Sequence, residues 1–224
     1  MERIIREYIE KAQPISSQLI EKKCKLGICP ATVRNEMQKL TDMGYVFQPH
    51  TSAGRIPTDK GYRFFVDRLL ESEVSSILDM GEIEKELEER DAFRWALNLT
   101  RYLSRASSSL AVSYLEDKNL FLKEGWEDLL REPEFGNRRT FSDFALLLES
   151  FDKVVREMKG VSEIKVFIGG ENPAKGAKDF GMVVARCRFP QKTEGVISLL
   201  GPKRMSYNRN IGLLNSLIKA LEDF

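Results

Sequence analysis

The sequence predicts an α+β fold in two parts: an N-terminal helical head with a short β-hairpin, and a second part with a small antiparallel sheet. Three short segments near the N-terminus place apolar residues at helical spacing, whereas runs typical of β-strands lie within residues 163–201. Between the two parts, residues 72–92 are rich in charge and poor in large apolar side chains, which predicts a connector. The expected boundaries are therefore 1–71, 72–92 and 93–224.

The composition excludes several classes of protein. Hydrophobic residues make up 42% and charged residues 31% of the chain, as in ordinary globular domains. The net charge is +1, so any nucleic-acid contact needs a local basic patch. No apolar run approaches the roughly 18–20 residues that cross a bilayer, and charges interrupt the first apolar turn, unlike a signal peptide. With three cysteines in no paired pattern, we expect a cytoplasmic protein with no membrane partner.

The chain offers little for catalysis or metal binding. It has a single histidine, His50, and its acidic residues form no close ligand pattern such as Asp-x-Asp. A Ser/His/Asp triad therefore has no histidine outside the predicted hairpin. We expect no enzyme, no metal site and no cofactor.

Three helical segments open the head: RIIREYIEKA, SQLIEKKCK and ATVRNEMQKLTDM. A break at Pro14 separates the first two, and Ser16 or Ser17 can cap the second. Pro30 suits the first turn of the third helix, and Gly44 suits its end. Short helices with a tight turn before the third are typical of a helix-turn-helix.

The third helix has an apolar face of Val33, Met37 and Leu40 and a polar opposite face. The polar candidates for DNA contact are Thr32, Arg34, Asn35, Gln38 and Lys39. Arginine pairs bidentately with guanine, and asparagine or glutamine pairs with adenine. From the helices alone, a DNA-reading helix and a solvated face of a three-helix bundle are equally good interpretations.

The stretch QPHTSAGRIPTDKGYRFF favours the DNA-reading interpretation. A short strand pattern at 45–47, a turn at 49–54 and a return strand at Arg55–Ile56 predict a hairpin directly after the third helix, as in a winged helix-turn-helix. Arg55 is expected on the exposed wing, where it could contact phosphate or the minor groove. His50 is expected in the turn of the wing, as a polar residue rather than a metal ligand or a catalyst.

The next helix adds basic candidates. Thr58 is a suitable N-cap, and Asp59 lies in the first turn, where the helix dipole favours it. Lys60 and Arg63 follow and could contact the DNA backbone.

In the second part, residues 93–115 are predicted as one packed helix, and Trp126 begins a short helix. A strong amphipathic helix is expected at about 141–158. Three antiparallel strands are predicted, at 163–170, 180–189 and 194–201, and a final helix opens at Ser206 or Tyr207.

Three blocks resemble the HrcA family of heat-inducible transcription repressors. The first, PATVRNEMQKLTDMGYVFQPHTSAGRIPTDKGYRFFVDRLL, is similar to the family's DNA-binding domain. The second begins with IGGENP and continues through GMVVARCRF to GVISLLGPKRMSYNRNI; it resembles the C-terminal end of the family. The third is LKEGWEDLLREPEF.

The resemblance implies a repressor that binds double-stranded DNA at an inverted-repeat operator upstream of chaperone genes. It also implies a GAF-like second domain, a homodimer and support from a GroEL-type chaperonin. This chain departs from the family in length, because only SSSLAVSYLEDKNLFLKEG stands where relatives carry much of the GAF-like sheet and a dimerising insert. We therefore expect a reduced GAF-like domain at 93–224 and a weak homodimer that uses an edge strand within 163–200 or the last helix at 207–222.

A second departure is Cys29, where the family usually has serine before Pro-Ala-Thr. Losing a hydroxyl cap costs about 0.5–2 kcal/mol of helix stability. We expect Cys29 to be a small buried residue rather than a redox switch.

Two alternatives to a DNA-binding repressor of chaperone genes remain. The GAF-like remnant could sense a small effector, in which case a shallow apolar pocket between the sheet and helix 141–158 is expected; a solid core would favour a structural or dimerising role. The chain could also be an interaction protein without DNA binding, against which the retained Arg34, Asn35, Arg55 and Lys60 argue.

Overall fold

The computed structural model describes residues 1–24, 27, 29–72, 91–158, 164–189 and 193–222. The chain divides into two compact units, Met1–Ser72 and Glu73–Phe224. Most of the predicted connector lies outside the described residues. The assignment of 1–71 to DNA binding and of 93–224 to a reduced GAF-like domain stays a prediction.

The first unit combines α-helices with a two-stranded antiparallel sheet. In chain order its elements are α1 (Glu2–Lys11), α2 (Ser17–Cys24), α3 (Pro30–Asp42), β1 (Val46–Phe47), β2 (Ile56–Pro57) and α4 (Asp59–Glu71). In the sheet, Val46 pairs with Pro57 and Phe47 with Ile56.

Local chemistry sets the helix ends of the first unit, as predicted. The Ser16 hydroxyl accepts the Leu19 N–H at 3.2 Å before α2, and Pro30 is the first residue of α3. Gly44, with φ of 76°, follows the end of α3 in a left-handed conformation that favours glycine. The Thr58 hydroxyl accepts the Gly61 N–H at 3.1 Å and caps α4.

The apolar face of α3 forms part of the core of this unit. Val33 and Met37 are buried, as predicted, whereas Leu40 is only partly buried at the edge of the cluster. The other buried members are Ile4, Ile15, Ile20 and Val46. The cluster therefore joins α1, α2, α3 and β1, and it leaves the opposite face of α3 to solvent.

The hairpin is fastened to the segment between α1 and α2. Arg55 and Ile15 exchange two backbone hydrogen bonds, each of 2.9 Å. Gly54 permits this approach, because a Cβ there would lie 2.4 Å from the carbonyl carbon of Ile15. The return strand is thus held from both sides, by β1 and by Ile15.

The second unit is a mixed α and β structure. Its helices and strands are α5 (Ala92–Ser107), β3 (Leu110–Leu115), β4 (Leu120–Glu124), α6 (Trp126–Leu130), α7 (Arg138–Glu157), β5 (Lys165–Ile168), β6 (Phe180–Arg188), β7 (Glu194–Pro202) and α8 (Tyr207–Glu222). Short 3₁₀ turns occupy Pro133–Gly136, Gly169–Glu171 and Ala177–Asp179. None of the helices within the described ranges is long and apolar enough to cross a membrane.

The strands form one sheet in the order β4-β3-β7-β6-β5, and neighbouring strands are antiparallel. The three predicted strands correspond to β5, β6 and β7. The prediction of one helix over 93–115 is wrong, because α5 ends at Ser107 and Leu110–Leu115 is a strand. Ser108, with φ of 51°, breaks the helix in a left-handed conformation that the sequence does not signal.

Helices cover both faces of the sheet. On one face, alternate residues such as Val112 and Val184 belong to a core cluster with Leu147 and Phe151 of α7. On the other face, the Ser113 hydroxyl lies 2.7 Å from that of Thr100 in α5. Because each face is buried, the strands read as continuous apolar runs.

The exposed side of the last helix, α8, which is one of the two predicted dimer surfaces, is small, and its role in a dimer stays a prediction. The side chains of α8 are largely buried, and among those described only Arg209 and Lys219 are exposed. Within the predicted range 163–200, β5 lies at an edge of the sheet formed by the described strands. An edge strand is therefore the better candidate of the two predicted surfaces.

Candidate nucleic-acid interface

The outer face of α3 carries the polar residues that the sequence selects as candidates for DNA contact. Val33 and Met37 point into the core, so the helical period turns the intervening positions to solvent. The exposed residues are Thr32, Arg34, Asn35, Gln38 and Lys39. The structure therefore brings five candidates together on one exposed helical surface.

These side chains differ in how strongly they are held. Within the part of the chain that the structure describes, Arg34 and Asn35 show no side-chain hydrogen bond. Lys39 pairs with Glu36 at 2.7 Å, and Gln38 donates to Asp42 Oδ1 at 2.8 Å. Arg34 and Asn35 thus retain their full capacity for hydrogen bonding to another molecule.

The turn of the hairpin is ordered by a side chain. Gln48 Nε2 donates to the carbonyl oxygens of Thr51, at 2.8 Å, and Ala53, at 2.9 Å. His50 is exposed at the tip, and its Nδ1 lies 3.1 Å from Ser52 Oγ. The turn consequently presents His50 on a closed loop beside β1 and β2.

Arg55 differs from the expected exposed wing residue. It is only 7% exposed, and its guanidinium faces the C-terminal half of α3. Nε donates to Thr41 Oγ1 and Nη2 donates to Gln38 Oε1, both at 2.9 Å. The physical reason is the pairing with Ile15, which fixes the Arg55 backbone and which no local sequence pattern reveals. Its assignment as a DNA contact stays a prediction.

Lys60 and Arg63 lie on α4, in the same unit. Lys60 is exposed; its Nζ donates to the Met43 carbonyl at 2.8 Å and lies 4.6 Å from the centre of the Tyr45 ring. A cation at the carbonyl end of a helix is favourable, so Lys60 also stabilises the end of α3. Arg63 pairs with Asp67 at 3.3 Å and is half-buried.

Cys29 is exposed at the start of α3, so the expectation that it is buried is wrong. Its Sγ lies 3.3 Å from Thr32 Oγ1, and the thiol makes no capping hydrogen bond to the helix. The Thr32 hydroxyl lowers the pKa of Cys29 below its ordinary value. By contrast, burial raises the pKa of Cys187.

The second unit provides little support for an effector site between the sheet and α7. The space is occupied by a continuous apolar cluster that includes Phe144, Leu147, Phe151 and Phe180. Phe144 and Phe180 lie with ring centres 5.3 Å apart. Among the described residues, no group of three or more His, Cys, Asp or Glu side chains could hold a metal ion. The packing favours a structural role for this core.

Comparison with protein families gives one family model that matches more than half of the chain. Residues 60–211 match the model described as "HrcA protein C terminal domain". The match begins in α4 and ends in α8.

Several relatives that align along nearly the whole chain share one name. The "Heat-inducible transcription repressor HrcA" of Thermodesulfovibrio yellowstonii is 26% identical over 330 residues, which cover 97% of this chain and 94% of that protein. The protein of the same name from Clostridium tetani is 26% identical over 325 residues, covering 99% and 93%. Both alignments are longer than this chain of 224 residues, so many residues of each relative have no counterpart here.

One solved structure has the same fold. A chain described as "Crystal structure of a hypothetical protein at 2.2 A resolution" superposes with a TM-score of 0.83 and 22% sequence identity. The superposition covers 99% of this chain and 95% of that chain. The similarity supports the observed fold and is silent on function.

Proposed function

Because the chain belongs to the HrcA family, we propose that it is a transcription repressor that binds a DNA operator through α3. The proposal rests on the exposed polar face of α3. On this face the side chains of Arg34 and Asn35 are exposed to solvent, and Val33 and Met37 are buried on the opposite face. Full-length relatives bear the name of a heat-inducible transcription repressor, which describes no enzyme.

The first unit supports a winged helix-turn-helix. Three helices precede a short antiparallel hairpin, and the third helix is polar on its solvent side. In such modules, the N-terminal part of the second helix of the motif meets base edges in the major groove. Arg34 and Asn35 lie in the first two turns of α3 and are the proposed base readers, for guanine and adenine respectively.

Five further candidates are proposed to position the protein on the DNA. Lys39 on α3, Lys60 at the end of α3 and Arg63 one turn further along α4 are proposed phosphate contacts. Thr32 could donate its hydroxyl to a phosphate near the helix start. His50, at the tip of the ordered turn, is proposed to approach an adjacent groove or phosphate.

The operator is proposed to be an inverted repeat that controls chaperone genes, so two heads must be related by a two-fold axis. Many residues of the relatives are missing here, and α8 is largely buried. We therefore propose a weak homodimer in the bacterial cytoplasm that forms through a sheet edge or on the DNA. Support from a GroEL-type chaperonin rests on the family resemblance alone.

The assignment of base readers is tested by selection and substitution. The full chain first enriches a DNA site from a random-sequence duplex library; this site is called the selected duplex. Asn35→Ala should lose about 1–3 kcal/mol of binding, roughly 10- to 100-fold, and should relax preference at one base pair. Arg34→Ala should do the same at a different base pair.

Glu10→Ala, an exposed change on α1, serves as the control and should bind like the unmodified chain. If Arg34→Ala and Asn35→Ala both leave affinity and base preference unchanged, these two residues are not the base readers. If only substitutions outside α3 remove base preference, another element of the protein reads the bases.

A further inference from the structure

The side-chain amide of Gln38 is held at both ends. Its Oε1 accepts from Arg55 Nη2 at 2.9 Å, and its Nε2 donates to Asp42 Oδ1 at 2.8 Å. The reverse orientation would set the amide nitrogen against a guanidinium and the oxygen against a carboxylate. The partners therefore fix which end is the donor and which is the acceptor.

Arg55 is itself rigidly placed. Its backbone N–H and carbonyl oxygen both form hydrogen bonds with the backbone of Ile15, and its Nε donates to Thr41 Oγ1 at 2.9 Å. The Thr41 hydroxyl in turn donates to the Met37 carbonyl at 2.9 Å. The guanidinium of this one hairpin residue thus contacts two successive turns of α3, at Gln38 and Thr41. Its hydrogen bond to Gln38 fixes the direction of the Gln38 amide.

Gln38 remains exposed, and half of its hydrogen-bonding capacity is unused. An amide oxygen has two lone pairs and an amide nitrogen two hydrogens, of which Arg55 and Asp42 each use one. One acceptor site on the oxygen and one donor site on the nitrogen of the same amide therefore remain for another molecule. This is the pair that meets N6–H and N7 of adenine in the major groove.

Resting on the proposed function, we propose that Arg55 is a positioning residue that orients Gln38 to read an adenine, and not a phosphate contact. Arg55 as a whole is only 7% exposed, and its guanidinium would have to leave Thr41 and Gln38 to reach a phosphate. Orientation before binding removes part of the ordering that a free glutamine must undergo on the DNA. Asp42 also orients the Gln38 amide, by accepting its Nε2 hydrogen bond on the exposed side of α3.

Arg55→Lys separates the two roles, because lysine keeps the charge but has no planar fork for Thr41 and Gln38. Each protein is titrated against the selected duplex, its single-base variants and a scrambled duplex. The proteins are the full chain, Arg55→Lys, Arg55→Ala, Asp42→Ala, Gln38→Ala and the Gln38→Ala/Arg55→Lys double variant. Arg63→Ala is the comparison for a proposed phosphate contact. Circular dichroism melting first identifies variants that remain folded, and Asp42→Ala tests the proposal at the surface if both Arg55 variants unfold.

We expect Gln38→Ala to weaken binding of the selected duplex about 10- to 100-fold and to relax preference at one A·T pair. Arg55→Lys should reduce preference at the same pair by a smaller factor, and its binding of the scrambled duplex and its salt dependence should match those of the unmodified chain. Asp42→Ala should reduce the same preference, while the loss of a carboxylate beside the DNA strengthens binding of both duplexes. The double variant should be no weaker than Gln38→Ala alone, because the two residues act as one unit.

The proposal is overturned if Arg55→Lys binds like the unmodified chain while Arg55→Ala weakens all duplexes equally and lowers the salt slope by about 0.9. It is also overturned if Gln38→Ala keeps full base preference. Equal affinity of the unmodified chain for the selected and scrambled duplexes would instead refute the proposed function itself.

Discussion

Arg204 donates two hydrogen bonds to the carboxylate of Glu134, from Nε to Oε1 at 2.6 Å and from Nη2 to Oε2 at 3.0 Å. Glu132 binds the same Nη2. Burial lowers the pKa of Arg204, but the hydrogen bonds and charges of Glu134 and Glu132 outweigh it and raise the pKa. The contact joins the turn after β7 to the segment before α7, so two of the blocks that resemble the HrcA family meet in space.

Arg204→Met should lower the unfolding free energy of the second unit. The change keeps most of the side-chain volume but leaves two partly buried carboxylates without their cation, which should cost about 2–4 kcal/mol. Trp95 and Trp126 both lie in the second unit, so fluorescence during urea unfolding reports on it.

The matched control for this prediction is Arg139→Met. Arg139 pairs with Asp143 at 3.8 Å, and its side chain is 82% exposed. This change should cost less than about 1 kcal/mol. Equal effects of the two substitutions would show that Arg204 stabilises no more than a surface ion pair.

Gly54→Ala should detach the hairpin from Ile15. An added methyl would overlap the Ile15 backbone, so the strand must move and the two hydrogen bonds with Arg55 must lengthen. We expect a loss of about 1–3 kcal/mol in local stability. Amide hydrogen exchange by NMR should show faster exchange at Ile15 and Arg55.

Gly44→Ala is the control for Gly54→Ala. A Cβ at Gly44 meets no atom within 4 Å, and the cost comes only from the φ of 76°. Exchange at Ile15 and Arg55 should then stay slow. Unchanged protection of these two amides in Gly54→Ala would contradict the close packing.

Cys29 should be the cysteine that alkylating reagents modify first. Its lowered pKa increases the thiolate fraction at neutral pH, and its rate of reaction with iodoacetamide should reach half-maximum at a lower pH than for a free thiol. Thr32→Val removes the hydroxyl that stabilises the thiolate, so it should slow the reaction at pH 7. Peptide mass spectrometry assigns each modified cysteine.

Cys187 provides the internal comparison, since it is buried and its pKa is raised. It should react only after unfolding. If α3 binds DNA, the selected duplex should also slow alkylation of Cys29. Equal rates at Cys29 and Cys187 in the folded chain would contradict the structure at both sites.

The head was largely predictable because its boundaries depend on local chemistry. Ser16, Pro30, Gly44 and Thr58 each set a helix end through their own backbone or hydroxyl, so a single sequence reveals them. The exposed face of α3 was also predictable, since the helical period alone separates it from the core.

Features that depend on contacts distant in sequence were not predictable. Leu110–Leu115 is buried on both faces and follows a helix, so its apolar run lacks the alternation that identifies a strand. The burial of Arg55 follows from its pairing with Ile15, forty positions earlier in the chain. The role of Arg204 depends on Glu134, in a segment that precedes most of the sheet.

Sequence-specific binding by a pair of chains is tested by a titration of the full chain against the selected duplex, one half of its repeat and a scrambled duplex of equal composition. It is made at fixed salt, with sedimentation of the same mixtures. We expect the selected duplex to bind at least about 1,000-fold more tightly than the scrambled one. Two chains should occupy the full repeat cooperatively, and a half-site should bind far more weakly. Equal affinity for all three duplexes would contradict a sequence-specific repressor.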